Sequence, residues 1–174
     1  MYKASLGSSV RITTFVFVAL FLVIGVFLMG SFIVGLFEEP FDRKSIMAPI
    51  ATFGLFGILY WVFSGRILGY EILNEGVKIV KGNDSDVIKK DTILEIKPIT
   101  YKEIRFSIRT FGNGGIFSLS GSFKNKKFGD MTWYITRKDT LLMIVTKKEK
   151  FVISPDAPKD FIKEVEKLLN ENPA

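Results

Sequence analysis

Basic side chains are concentrated in three connections in the second half of the chain. They are Lys124, Lys126 and Lys127 in the first, Arg137 and Lys138 in the second, and Lys147, Lys148 and Lys150 in the third. If the three connections lie at one end of the domain, they form a positive surface that could rest on anionic lipid or hold an acidic protein segment. Ordinary solvated turns carry the same residues, and that interpretation stays open. Aromatic residues do not alternate with the lysines, so we expect no nucleic-acid partner.

The composition argues against catalysis. The chain contains no histidine and no cysteine. It therefore lacks the commonest general base near neutral pH, every thiol nucleophile and every thiolate metal ligand. No serine lies in a Gly-x-Ser-x-Gly pattern, and no spacing indicates a serine–lysine pair. We predict no enzyme activity, no metal, no cofactor and no small-molecule substrate.

Two short motifs are better explained by turns than by ligands. The glycine run Gly112–Gly115 lacks the Lys-Ser/Thr that follows in a phosphate-binding loop, so it predicts a wide turn or bulge with positive φ. Asn83, Asp84 and Asp86 resemble the start of a calcium loop, but the downstream bidentate Glu is absent at the required spacing. We interpret these three residues as turn residues.

Two apolar runs precede the part of the chain that carries these motifs. Neither Ile12–Phe37 nor Ser45–Gly65 contains Asp, Glu, Lys or Arg, and each run is long enough to cross a hydrocarbon core of about 30 Å as a helix. We predict transmembrane helices over residues 12–37 and 45–65, joined by an extracytoplasmic loop over residues 38–44. Transport and voltage sensing need charged groups inside the spans, so the pattern indicates an anchor.

Basic residues near the helix ends predict the orientation. Lys3 and Arg11 lie before the first helix and Arg66 follows the second, against Arg43 and Lys44 in the loop. Because Lys and Arg favour the cytoplasmic side, we expect a cytoplasmic N-terminal lead over residues 1–11 and a cytoplasmic C-terminus at the cell membrane. Small residues such as Gly25 predict close packing, either within the hairpin or between two copies.

Residues 66–174 predict one small β domain. The apolar period changes to two after Gly69, most clearly at Ile104, Phe106 and Ile108, which we expect to form one buried face of a strand. From Asp156 onward the apolar residues return to helical spacing. About seven antiparallel strands followed by one amphipathic helix predict a small barrel that the helix closes.

Several segments of this domain resemble a known family. They are Arg109–Phe117 with its glycines, Gly121-x-Phe123, Tyr134-x-Thr136, Val152–Pro155 and Phe161. Together they resemble the bacterial pleckstrin-homology-like domain families, some members of which carry membrane hairpins ahead of the domain. The resemblance implies a seven-stranded barrel with a C-terminal helix and a binding or scaffolding role. No site residue of that family is assigned to this chain, because Asn74–Gly76 lacks the basic residues that phosphoinositide-binding members place in the first hairpin turn.

Two functional hypotheses follow. In the first, a membrane-anchored interaction module binds a protein partner or a second copy of itself through an exposed strand edge or the glycine-rich segment. In the second, the domain senses anionic lipid through its basic connections. The sequence alone does not decide between them.

Overall fold

Two long apolar helices dominate the first third of the fold. The computed structural model describes residues 1–37 and 46–170. Helix α1 spans Ser8–Leu36 and helix α2 spans Met47–Ser64. Both are long and apolar enough to cross a membrane, and little of either is buried by the rest of the chain. The predicted loop over residues 38–44 lies outside the described residues.

Helix α1 begins four residues earlier than predicted, at Ser8 and not at Ile12. The polar residues before Ile12 end the apolar run without ending the helix, because a solvated serine or arginine tolerates helical backbone. Within the hairpin, Gly25 is buried against the Phe56 ring, which would lie 3.0 Å from an added Cβ. Gly30, Gly54 and Gly57 face open space. Close packing within the hairpin therefore uses Gly25.

The start of the predicted N-terminal lead packs on the folded domain, which the sequence did not indicate. Strand β1 (Tyr2–Lys3) pairs antiparallel with Gly69 and Tyr70 of strand β2 (Ile67–Leu73). The Tyr2 ring packs edge-on against Phe161, with 5.0 Å between ring centroids. Ala4 is buried in the same core. A strand of two residues before a long apolar helix has no periodicity from which it could be predicted.

Hydrogen bonds attach the rest of this N-terminal segment (residues 2–7) to the domain. The Ser5 amide and hydroxyl donate to Asp156 Oδ1 at 3.1 and 2.7 Å. Thr136 Oγ1 donates to the Ser5 carbonyl at 3.0 Å, and the Gly7 amide donates to the Thr136 carbonyl at 3.0 Å. Since β2 follows α2 directly, both ends of the hairpin are attached to one domain.

Two sheets make up the domain. Besides β2, the strands are β3 (Gly76–Lys81), β4 (Ser85–Lys89), β5 (Ile93–Ile99), β6 (Ile108–Gly114), β7 (Leu119–Asn125), β8 (Gly129–Ile135), β9 (Leu141–Thr146) and β10 (Lys150–Ile153). One sheet has the order β1-β2-β3-β4 and the other β5-β9-β10-β8-β7-β6. A short helix α3 (Tyr101–Ile104) precedes β6, and helix α4 (Pro158–Asn170) follows β10.

The prediction of a closed barrel with about seven antiparallel strands was therefore wrong. Nine strands follow the hairpin in the described residues, and they form two sheets. Strand β10 lies between β9 and β8 and runs parallel to β8, with Lys150 opposite Met131. Alternation of apolar residues indicates that strands exist, but it does not indicate which strands are neighbours. The predicted C-terminal helix is present, and Phe161, Val165 and Leu168 form its buried face.

The core has two parts, because the six-stranded sheet is covered on both faces. On strand β9, Ile144 belongs to the cluster that contains Tyr70 and Phe161, between the two sheets and α4. Its neighbour Met143 points the other way, into the cluster around Trp133. A strand that is buried on both faces has a continuous apolar sequence, as Leu141–Val145 does.

The strand predicted at Ile104, Phe106 and Ile108 is also corrected. Residues Tyr101–Ile104 form α3, whose capping box has the Thr100 amide donating to Glu103 Oε2 at 2.9 Å. Ile104 is buried, whereas Phe106 and Ile108 are exposed. The Thr-x-x-Glu capping signal determines the local backbone here, and the apparent alternation does not.

A buried tyrosine joins the two sheets. The Tyr70 hydroxyl donates to the Tyr134 carbonyl at 2.6 Å and accepts from the Ser154 amide at 3.1 Å. The Ser154 hydroxyl in turn accepts from the Thr136 amide at 2.9 Å. Tyr70 is fully buried, and burial raises its pKa to about 12.

Replacing Tyr70 with phenylalanine should destabilise the domain by about 1–3 kcal/mol. The substitution keeps the ring but leaves the Ser154 amide and the Tyr134 carbonyl without their buried partner. Thermal unfolding of the full chain in mild detergent measures the effect. Tyr60→Phe is the matched control, because Tyr60 is exposed on α2. Equal melting temperatures for the two variants would contradict the network.

The same tyrosine predicts how stability changes at high pH. In the unfolded chain its pKa is near 10, and in the folded domain it is about 12. Between these values the unfolded state loses the proton first, so the stabilisation is complete below pH 10 and declines as the pH rises toward 12. The advantage of the wild type over Tyr70→Phe in melting temperature should shrink over that interval. An advantage that stays constant from pH 9 to 12 would contradict the assignment.

Candidate functional site

The domain has two ends that differ in their distance from the helices. Strand β8 runs from Gly129 toward Ile135, and the next residue, Thr136, contacts Gly7 directly before α1. We call this the helix end of the domain and the opposite end, around Gly129, the far end. Seven residues of strand separate them, which is roughly 20 Å.

The structure divides the eight predicted basic site residues between the two ends. At the far end are Lys124, Lys126, Lys127, Lys147, Lys148 and Lys150, because the β7–β8 turn and the start of β10 are neighbours. The Lys150 ammonium donates to the Phe128 carbonyl across these two connections. Arg137 and Lys138 follow β8 and lie at the helix end. The eight residues therefore do not form one surface.

Half of the far-end lysines are already engaged. Lys124 lies 3.8 Å from Asp130, and Lys127 lies 2.9 Å from Glu103. The Thr100 amide and then the Lys127 ammonium lower the pKa of Glu103 to about 2, so this carboxylate is charged at neutral pH. Lys126, Lys147 and Lys148 have no ion pair within the described part of the chain. These three cations remain available to a partner.

A hydrogen bond and a ring pair fix the helices to the β6–β7 connection. The Phe117 amide donates to Thr14 Oγ1 at 2.8 Å, and its ring packs edge-on against Phe63 with 5.2 Å between centroids. Phe117 has a φ of 62°, which a bulky side chain rarely adopts. The contacts with both helices hold it there. The domain is consequently attached to the hairpin at this point as well as through its N-terminal segment.

Strand β6 is the edge of the six-stranded sheet and is the most exposed strand of the domain. Its outer side pairs with no strand in the described residues. Phe111 is 81% exposed, and at its start Phe106 and Ile108 are 76% and 72% exposed. Phe106 and Ile108 were expected in the core. An open strand edge bearing three exposed apolar side chains is a template for an added strand.

The glycine-rich segment belongs to this edge. It continues β6 as a strand, with a bulge between Arg109 and Phe111. Gly112 and Gly121 are opposite each other on β6 and β7, and their φ angles are 116° and 125°. An added Cβ on Gly112 would lie 2.1 Å from the Ser120 carbonyl oxygen. The predicted positive φ is present at Gly112 and Gly115, but the bulge lies before the glycine run, and Gly112–Gly114 belong to a strand and not to a loop.

A cleft of about 540 Å³ lies beside β6, between the two sheets and under the end of α2. Trp61 borders it from α2, Phe111 from β6 and Tyr134 from β8. Its polar wall comes from the β3–β4 hairpin, where Lys81 Nζ lies 2.8 Å from Asp86 and 3.7 Å from Asp84. The cleft therefore combines aromatic walls with one lysine and two carboxylates.

The charges in the cleft are fixed by their neighbours. Partial burial would raise the pKa of Asp86, but hydrogen bonds from Lys81 and Tyr134 outweigh it and lower the pKa. Burial, followed by the hydrogen bond to Asp86, raises the pKa of Tyr134. At neutral pH the cleft thus presents an ionised Asp86 beside a neutral tyrosine. Such a wall accepts hydrogen bonds and cations.

Sequence reasoning proposed contact through an exposed strand edge or the glycine-rich segment, but it did not identify β6 as that edge and it missed the cleft. Asp84 and Asp86 were interpreted as turn residues, which they are, but their position opposite Tyr134 depends on how the two sheets face each other. The available signal was Arg109-Thr110-Phe111-Gly112, where a bulky apolar residue sits between polar residues and glycine. Among the described residues no group of three or more His, Cys, Asp or Glu side chains could hold a metal ion.

Comparison with known proteins identifies the domain. The family model for the bacterial PH domain matches residues 68–169, which is more than half of the chain. No curated protein and no solved structure matches the chain. The matched range runs from β2 to the last turn of α4, so it covers the two sheets and the closing helix but not β1 or the hairpin. The chain belongs to the bacterial PH domain family.

Proposed function

We propose that this chain is a membrane-anchored interaction module that binds an extended segment of a protein partner along strand β6. The hairpin holds the domain at the inner face of the cell membrane, with both termini in the cytoplasm. The open β6 edge is the observation that carries the proposal. Family membership supports a binding role in general, since PH domains are generally interaction modules without catalytic activity.

Three observations support the anchoring. Both helices are long and apolar enough to cross a membrane, and they have little contact with the domain that would bury them. The N-terminal segment and the domain lie at the same end of the hairpin, as two spans with both termini on one side require. Arg11 and Arg66 lie at that end, which is consistent with a cytoplasmic location.

The other strand edges are less suited to receive a partner. Strand β5 contains Pro98, and helix α4 packs against it. Strand β1 has only two residues, and β4 has five. Strand β6 has seven residues and the largest exposed apolar side chains beside it. Main-chain hydrogen bonds to β6 would supply affinity, and side-chain pockets would supply specificity.

The cleft supplies such a pocket. A segment that pairs with β6 passes over Phe111, and a side chain pointing inward enters between Phe111 and Trp61. Asp84, with its side chain 68% exposed, lies on the opposite wall and would meet a cationic group. At the far end, Lys124 is opposite Ile108 at the start of β6, and Lys126 follows in the turn. The best partner segment is therefore extended, acidic at one end and basic or aromatic near its middle.

Pairing between two copies of β6 is disfavoured by the anchor. Strand β6 runs from the far end to the helix end, because Ile108 is opposite Lys124 and Gly114 is opposite Leu119. Antiparallel pairing about a two-fold axis reverses the strand direction, so it would point the two hairpins opposite ways. Two chains that are inserted in the same membrane with the same orientation therefore cannot pair antiparallel along β6. The partner along β6 is consequently a different protein.

Photo-cross-linking in intact membranes tests the proposal. A photoreactive residue in place of Phe111 should form a discrete adduct with a partner, and Ile108→Lys in the same chain should reduce the adduct at least several-fold by placing a charge on the edge. The matched control places the photoreactive residue at Leu94, an exposed apolar residue on β5. We expect no adduct there.

Two outcomes would contradict the β6 proposal. One is an adduct of equal yield from positions 111 and 94, which would indicate nonspecific contact. The other is an adduct from position 111 with the mass of two chains, which would indicate self-association. Alkaline extraction of the membranes separately tests the anchor, since release of the chain into the soluble fraction would contradict membrane insertion.

A further inference from the structure

A second cavity, of about 650 Å³, lies at the helix end of the domain. One wall is the N-terminal segment with the first turn of α1, including Ser8, Ser9 and Arg11. The other wall is the β8–β9 turn, with Arg137 and Lys138, and Tyr101 of α3. More than half of this lining precedes the residues that match the family model, so the site depends on the N-terminal segment of this particular chain.

The cavity has an excess of positive charge. Arg137 is neutralised locally, since it pairs with Asp139 and lies 3.1 Å from Asp156. Arg11 makes only a long hydrogen bond, 3.4 Å, to the Leu6 carbonyl. Lys138 lies over the Tyr101 ring at 4.5 Å. Neither Arg11 nor Lys138 pairs with a carboxylate in the described part of the chain. Counting Arg11, Arg137 and Lys138 against the two carboxylates that hold Arg137, one positive charge is in excess around this cavity.

Neutral hydrogen-bond donors complete the lining. Ser8 and Ser9 place their hydroxyls and main-chain amides at the start of α1, where Gly7 provides no side-chain cap. Gly7 itself is required by close approach, because an added Cβ would lie 2.7 Å from Arg137 Cβ. This contact brings the start of α1 against the β8–β9 turn. Arg11, Lys138 and the two serines consequently line the same cavity.

The level of the cavity relative to the apolar helices indicates what could fill it. Arg11 lies one helical turn before Phe15, which is 73% exposed and begins the unbroken apolar surface of α1. If the hairpin is inserted, this position coincides with lipid headgroups. The six far-end lysines lie roughly 20 Å away, too far to reach the same headgroup.

We propose that this cavity binds the phosphate group of an anionic phospholipid from the adjoining leaflet, with Arg11 and Lys138 as the charge partners and the serines as hydrogen-bond donors. The acyl chains would extend along α1 beyond Phe15. The inference rests on the proposed membrane insertion of the hairpin, but it does not depend on a partner at β6.

The test uses the full chain in mild detergent, with short-chain phosphatidylglycerol as the probe. Native mass spectrometry reads the bound lipid, and the rise in melting temperature with probe concentration gives an affinity. Arg11→Gln combined with Lys138→Gln should weaken binding of the lipid on the order of tenfold, since each of the two cations contributes roughly a few-fold to the affinity for an anionic headgroup. Arg11→Lys combined with Lys138→Arg keeps both charges and should retain binding.

A matched control replaces two far-end lysines, Lys126→Gln with Lys148→Gln, and should bind as the wild type does. Unchanged binding by the Arg11/Lys138 glutamine variant would overturn the proposal, as would loss of binding in the far-end control. Inorganic phosphate at the same concentration should produce little stabilisation. If it matches the lipid probe, the ligand is a free anion and the lipid assignment is wrong. Because the assay is in detergent, its result is independent of the alkaline extraction and of the β6 cross-link.

Discussion

The attachment of the N-terminal segment to the domain is the constraint on which the rest of the structure depends. Tyr2 pairs with Tyr70, and Ser5 is bound by Asp156 and Thr136, so the chain before α1 and the chain after α2 are parts of one fold. Without this attachment the domain would be held only by its direct connection to α2 through Gly65 and Arg66 and by the contacts of Phe117 with the two helices. With it, the helices and the domain meet at three places: β1, the Thr14–Phe117 hydrogen bond and the Gly7–Thr136 hydrogen bond. Orientation relative to the hairpin is then set by the fold.

Because the orientation is fixed, the candidate binding surfaces lie at different distances from the hairpin. The helix end holds the cavity between Arg11 and Lys138, which is at headgroup level if the hairpin is inserted. At the far end, Lys126, Lys147 and Lys148 have no ion pair in the described residues. Between them β6 presents its open edge along the direction from one end to the other. If both proposals hold, lipid and protein bind to separate surfaces of the domain and do not compete.

The sequence predicted the elements better than their arrangement. The apolar runs, most strands and the face of α4 followed from periodicity, because each depends on neighbours along the chain. The pairing of β10 with β8, the exposure of Phe111 and the separation of Arg137 from the far-end lysines depend on contacts between residues distant in sequence, which periodicity does not encode. The strand at Tyr2–Lys3 is stabilised by β2, α4 and the Asp156 amide, all distant in sequence, so no local pattern marks it. The Thr100–Glu103 capping box was visible in the sequence and should have outweighed the alternation at Ile104.

The central claim is that the N-terminal segment is attached to the domain in the membrane, and disulfide trapping tests it most directly. The chain has no cysteine, so Ser5→Cys with Asp156→Cys introduces one possible pair at a site where the native side chains are 2.7 Å apart. Mild oxidation in membranes should produce a rapid intramolecular disulfide in most of the protein, whereas Ser5→Cys with Lys126→Cys, whose sites lie at opposite ends of the domain, should produce none. Absence of the disulfide in the first variant, or equal yields in both, would contradict the account.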